Sequence, residues 1–389
     1  MIWLAMLLQV ATPAAQAAPQ SNAGAAQEGD IVVVGRGIES AQAALDACVA
    51  RGCPPDQEIK AALVVASRRF LAGDYAGSRQ TLLKTRGRTG KADAAYPLAV
   101  SDLHRALNTI GNLDGREDSA RLSAFDATDA LRAGLKPNDP LILLQRLDSA
   151  NQLTRTGRIE AARQIYEDVI KRAAKNGYPG VEGEAIFQAA TLYATLASLN
   201  PNFRDAADRW AARLDKRDEP EIVQYREGIR LVKLQLAASK ASPEERAALL
   251  AQAKPLATRD AFLLSEPDVT FNVSNPIHRS VQTGALSGGT SEKPEWADVA
   301  FFVRPDGTVA DVSVVAQSDV KPGSWLSIKT DAVTGRRYAP FNGAPIYRVE
   351  RYTMVHNYSE ATGTHLKMRS ARGILNTTDV TKAYQAPAA

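Results

Sequence analysis

Three glycines set at equal intervals constrain this chain more than any other feature. Gly73, Gly115 and Gly157 stand 42 residues apart, in "FLAGDYAGSRQTLL", "IGNLDGREDSARLSAF" and "LTRTGRIEAARQIYEDVI". Five positions after each glycine comes a small residue: Ser78, Ala120 or Ala162. Leu82 and Tyr166 follow four positions later in the first and third copies. A fainter copy, "LNPNFRDAADRW", puts Pro201 at the glycine position, followed by Ala206 and Trp210. The physics of the pattern is a helix–turn–helix unit. Glycine permits a tight turn, the small residue lets two helices approach, and the large one packs into the next unit. Stacked units then bury a continuous core.

These motifs resemble tetratricopeptide repeats, most clearly from Gly157 through Ala162 and Tyr166. The resemblance covers about residues 60–215 and implies a stacked right-handed array. The period here is longer than the family's, which implies longer helices or loops, and a helical-hairpin array of another kind stays open. The helical domain is expected over 38–262. Near its end Ser242, Pro243 and Glu245 make a capping-box start with proline in the first turn.

Beyond residue 262 the texture changes. "SEPDVTFNVSNP" alternates in strand fashion and "TGALSGGTSEKP" reads as a flexible joint, so 263–293 is expected to be a linker. In "WADVAFFVRPDGTVADVSVVAQS" two β-rich runs flank Pro305-Asp306-Gly307, a hairpin signal. Ala310, Val312 and Val314 alternate with Asp311 and Ser313, which predicts one buried face. Trp325, Ile328, Ala332 and Val333 fall at helical spacing. A Pro/Gly-rich bend then leads into a last strand, about 346–356.

That order of strand, strand, helix, strand resembles the C-terminal domain of TonB-family proteins, over about 294–358. The matching pieces are "VRPDGTVADVSVV", "RRYAPFNGAP", with Arg337, Tyr338 and Pro340, and the aromatic-rich last strand. A TonB proper also carries a membrane helix and a long Pro-rich spacer, which are missing here. The fold class is thus α+β and multidomain: a helical repeat array, then a small sheet domain. The resemblance implies binding of an extended partner by strand addition, along Tyr347, Val349, Arg351, Thr353 and Val355 at an accessible edge. Arg348, Glu350 and Arg351 would discourage indiscriminate pairing there. Residues 359–389 read as a tail.

The N-terminal part carries its own signals. No charged side chain precedes Glu28. Ile2 to Val10 is an apolar run of signal-peptide length, and Ala15-Gln16-Ala17 offers a small-residue cleavage site. A signal peptide over 1–17 and a periplasmic destination are expected, with the segment serving as an inner-membrane anchor if it is not cut. A linker with a short strand follows at 18–37. There Ile31, Val32, Val33 and Val34 resemble the docking box of TonB-dependent outer-membrane receptors. The segment docks onto another TonB-like domain, pairs with a sheet edge of its own chain, or is a tail strand. Cys48 and Cys53, five positions apart, favour a disulfide in an exported chain. The alternative is two thiols, one buried.

Catalytic signatures do not emerge. "VVVGRGIES" imitates a dinucleotide-binding turn, but Ser40 stands at its third glycine position and the next segment is helical. His104, His278, His356 and His365 are dispersed, with no metal-ligand spacing. No GxSxG elbow or P-loop occurs. Arg68-Arg69 and Arg336-Arg337 read as solvated pairs, and Asp215 and Glu219 as solvated carboxylates. A net charge of +4 on 90 charged side chains is too mild to suggest nucleic acid. The expectation is a non-enzymatic interaction protein with protein partners, an outer-membrane receptor or TonB-like protein among them, and no metal or cofactor. The alternative is a periplasmic enzyme or envelope-assembly factor whose site is assembled from distant residues.

Overall fold

Prolines mark the helix starts. Helices α2 (Pro55–Leu71), α4 (Pro97–Leu113), α6 (Pro140–Arg155), α8 (Pro179–Leu199) and α10 (Pro220–Ala238) all open on proline, at successive intervals of 42, 43, 39 and 41 residues. Proline suits that position because its missing N–H is an orphan donor there and its φ is already helical. In this computed structural model the described residues are 34–215, 217–238, 241–256, 261–267, 293–320, 324–360 and 367–385. Helix α1 (Val34–Ala50) precedes the series. Helices α3 (Tyr75–Thr89), α5 (Glu117–Gly134), α7 (Ile159–Asn176) and α9 (Arg204–Ala212) each pack against the helix before them. Helix α11 (Pro243–Ala251) closes the helical part. Its start is the expected capping box: Ser242 accepts from the Glu245 amide while the Glu245 carboxylate accepts from the Ser242 amide.

The turns between α2 and α3, α4 and α5, and α6 and α7 hold Gly73, Gly115 and Gly157 at φ of +78°, +69° and +74°. Ser78, Ala120 and Ala162 are all fully buried. Ser78 Oγ donates to the Ala66 carbonyl across the first hairpin at 2.8 Å. The main core joins α6 through α10, with Ala162, Tyr166, Ile186 and Trp210 inside it. At the Pro201 position a short 3₁₀ turn, Pro201–Phe203, replaces the glycine turn, capped by Asn200.

The C-terminal part is a mixed sheet-and-helix unit. Strands β2 (Glu295–Val303), β3 (Val309–Gln317), β5 (Ile346–Glu360) and β6 (Lys367–Asp379) form one antiparallel sheet in the order β3-β2-β5-β6. Helix α12 (Trp325–Thr334) lies between β3 and β5 in the chain. A two-stranded sheet pairs β1 (Leu263–Ser265) with β4 (Arg337–Tyr338). Helix α13 (Thr381–Gln385) follows β6. The β2–β3 hairpin turns at Gly307, φ +81°, with the Asp306 carboxylate accepting from the Thr308 amide at 2.9 Å.

Three boundaries differ from the sequence expectation. Helix α1 begins at Val34, within the expected linker, because "VGRGIESAQAALDACVA" has helical apolar spacing once Gly37 is tolerated inside it. Leu263 and Leu264 are buried core residues rather than linker. The expected tail supplies β6 and α13. Ile31, Val32 and Val33 lie outside the described residues, as do the signal-peptide segment, His278 and His365.

Candidate functional site

The sheet has two buried faces, and alternation along β5 sorts its side chains between them. The odd-numbered residues Val349, Arg351, Thr353 and Val355 are buried. Val349 packs with Ala300 and Val380 against Phe70, Leu71, Tyr347 and Tyr384. Arg351 is the centre of this face. Its guanidinium forks onto Asp298, Nε at 2.6 Å and Nη2 at 2.7 Å. It lies over the rings of Trp296, at 3.9 Å, and Phe70, at 4.8 Å. Its remaining donors reach the carbonyls of Phe70 and Leu71 at the end of α2. Tyr384 donates to the same Asp298 carboxylate at 2.6 Å. A buried charge is tolerated only when paired and hydrogen-bonded, and here both conditions are met by two distant parts of the chain.

The glycine turns provide the other half of that face. Trp296, Thr353 and Asn376 are direct neighbours across β2, β5 and β6. Trp296 packs on Gly73 in the first turn, and Tyr75 shares a hydrogen bond with Thr353 at 2.8 Å. Asn376 donates to the Asn112 carbonyl beside the second turn and accepts from Arg155 beside the third. One row of the sheet therefore meets three successive helical hairpins.

The opposite face holds a second charged cluster. Arg336 donates to Glu350 at 2.8 Å, to the Tyr338 and Tyr352 hydroxyls at 3.0 Å, and to Glu266 at 3.4 Å. Lys329 of α12 pairs with Glu266 and sits 4.9 Å from the Tyr352 ring centroid. Tyr352 donates to Glu350 at 2.5 Å. Burial alone would raise the Glu350 carboxyl, but Arg336 and Arg348 hold it below its ordinary value. Burial also pulls the Lys329 ammonium down, and Glu266 offsets part of that.

These findings correct the strand-addition residues. Strand β5 is not an edge: β2 and β6 pair along its two sides. Val349, Arg351, Thr353 and Val355 are buried and Tyr347 packs on Phe302 at 5.2 Å. Arg348, Glu350 and Arg351 do not guard an exposed edge; Arg348 pairs with Asp379 and the other two are buried ion-pair members. Arg336 is likewise buried, not solvated. The sheet ends on β3 at one side and on β6 at the other, and among the described residues no strand lies beyond either. On β3, Ala310 and Val312 are half-buried and Val314 is 40% exposed, so the predicted buried face is only partly covered; the next residue, Val315, is 43% exposed. Register shifts around Val299 and between Ala300 and Phe302 bulge the β2–β3 pairing, and Asp311 takes φ +53° there.

Cys48 and Cys53 form a disulfide, Cα–Cα 5.2 Å, closing the end of α1 onto the turn before α2. Burial pushes Asp148 up to about 6 against the opposing charge of Arg105, 3.7 Å away. Burial also raises Glu184, which accepts from Gln188. Among the described residues no trio of His, Cys, Asp or Glu is placed to hold a metal. No described helix is long and apolar enough to cross a membrane. Asp215 pairs with Lys233 on the surface, and Glu219 with Arg217. No protein-family model and no curated protein matches the chain.

Proposed function

We propose that this protein is a non-enzymatic interaction scaffold of the periplasm, in which tetratricopeptide-like helical units brace a TonB-like sheet that receives an extended partner segment by strand addition. The observation that carries this reading is the open edge of β3, with Val314 and Val315 exposed beside it. An unpaired edge is a liability unless a partner uses it. Strand addition draws affinity from main-chain hydrogen bonds and selectivity from alternate side chains. A short β-branched run like Ile31–Val34, presented by a second molecule or by a receptor box resembling it, has the required chemistry. The positive-φ glycine turns and the buried Ser78, Ala120 and Ala162 support reading the helices as repeat units.

The test is amide hydrogen exchange of the full chain with a peptide of residues 29–37. Protection should appear at 309–317, with micromolar affinity, because ordering a flexible strand takes back about 2–5 kcal/mol. A Val33→Pro peptide should not protect, since proline removes a ladder donor. Unchanged exchange at 309–317 with the wild-type peptide overturns the reading.

A further inference from the structure

A cavity of about 240 Å³ lies between α8, α10 and the segment that carries β1. Its walls are mainly apolar, with Phe187 and Val232 from the helices facing Phe262 and Leu264. The three hydroxyls on its α8 wall are committed as donors: Thr191 gives its proton to the Phe187 carbonyl, Thr195 to the Thr191 carbonyl and Ser198 to the Thr195 carbonyl. Two charged side chains reach the lining, Glu266 and Arg246. They are not equivalent. Glu266 is neutralised by Lys329 and Arg336. Half-buried Arg246 donates only to neutral acceptors, the carbonyls of Ala238 at 3.0 Å and Ala241 at 3.5 Å. Among the described residues it has no carboxylate within ion-pair distance. Among the described residues the cavity therefore combines apolar walls with one cation that no carboxylate pairs.

We infer that this cavity binds a small aliphatic monocarboxylate, its chain against Phe187, Val232, Phe262 and Leu264 and its carboxylate on Arg246. Apolar pockets with few polar groups are the usual form of small-ligand sites, and a guanidinium offers a carboxylate paired donors. The volume leaves room for a short aliphatic chain, and hexanoate is the probe that matches a chain of that kind. The site is separate from the β3 edge and does not depend on strand addition.

Calorimetric titration of the full chain with hexanoate, hexanol and acetate tests it. Hexanoate should bind one per chain, hexanol about tenfold more weakly or worse, since a charge-assisted contact is lost, and acetate not measurably. Arg246→Gln should bring hexanoate down to the level of hexanol. Thr195→Leu, which adds bulk to the cavity without touching Arg246, should abolish both, and circular dichroism should show each variant folded. If Arg246→Gln fails to fold, the hexanoate-to-hexanol ratio and Thr195→Leu decide. Absent hexanoate binding, equal binding of acetate, or hexanoate held unchanged by either folded variant overturns the inference.

Discussion

Each face of the C-terminal sheet buries one arginine, and the two are used differently. Arg336 lies in a cluster drawn from the sheet unit itself: Glu266, Lys329, Tyr338, Glu350 and Tyr352. Arg351 has one carboxylate, Asp298, and spends its other donors on carbonyls at the end of α2, some 280 positions away in sequence. The first arginine knits a small unit together. The second fastens that unit to the helices. The difference teaches that β5, which reads as a receptor for an outside strand, already has a partner on one face: the turn edge of its own helical hairpins.

The largest expected effect separates these two roles. Arg351→Met should destabilise the protein by about 3–5 kcal/mol, because it leaves the Asp298 carboxylate buried with only the Tyr384 hydroxyl. It should also split unfolding. Urea titration followed by tryptophan fluorescence, which sees Trp296 at the joint, should move ahead of the far-ultraviolet helical signal. A single transition with a loss below about 1 kcal/mol would break the comparison.

On the other face Glu350→Gln should cost about 3 kcal/mol, at the low end for a buried pair because Arg336 keeps Glu266. Its pH dependence has a defined sign. The folded Glu350 carboxyl titrates below its ordinary value of 4.5. Its contribution is thus fully present above that value and is lost as pH falls through the folded pKa. Melting temperatures from pH 7 to 3 should fall less steeply in Glu350→Gln than in the wild type. Parallel acid limbs would show that the cluster does not depend on that ionisation.

A pair of glycines sharpens the contrast between joint and array. Gly73 and Gly157 both have positive φ, so alanine at either costs about 1–2 kcal/mol of backbone strain. A methyl at Gly157 meets open space, whereas one at Gly73 collides with the Trp296 indole. Gly73→Ala should therefore lose roughly 1–3 kcal/mol beyond Gly157→Ala, measured by chemical denaturation. Equal losses would mean that Trp296 does not press on the turn.

What could be read from the chain was its local chemistry. Glycine turns, the capping box at Ser242, the Gly307 hairpin and the α12 spacing each depend on residues within a few positions. The proline starts at 55, 97, 140, 179 and 220 are equally legible, recurring at intervals of 42, 43, 39 and 41 residues, close to the glycine spacing of 42. Strand β6 was hidden because "KMRSARGILNTTD" has no clean apolar alternation, and Asn376 within it is satisfied by Arg155 and Asn112 from the helices. The fates of Arg336 and Arg351 were not readable at all. A sequence shows a charge but not its buried counter-charge, and Asp298 and Glu266 become partners only when the sheet closes.

The smallest expected effect tests the joint with least disturbance. Tyr75 and Thr353 share a buried hydrogen bond at 2.8 Å, one residue from the helices and one from the sheet. Tyr75→Phe leaves the Thr353 hydroxyl without its partner, at a cost of about 1–3 kcal/mol, and Thr353→Val takes one partner from Tyr75 while Arg351 stays beside it, at the low end of that range. The double variant removes both polar groups while nearly preserving shape, and such replacement is often close to neutral. Its loss should therefore be smaller than the sum of the single losses, leaving a coupling of about 1 kcal/mol in a double-mutant cycle. A cycle between Tyr75→Phe and Tyr352→Phe serves as the control, because Tyr352 belongs to the Arg336 face and shares no hydrogen-bond partner with Tyr75. Coupling should vanish there. Additive losses for Tyr75 and Thr353 would mean that the helices and the sheet touch at this point without holding each other, and among the described residues of that part of β5 the fastening would then rest on Arg351.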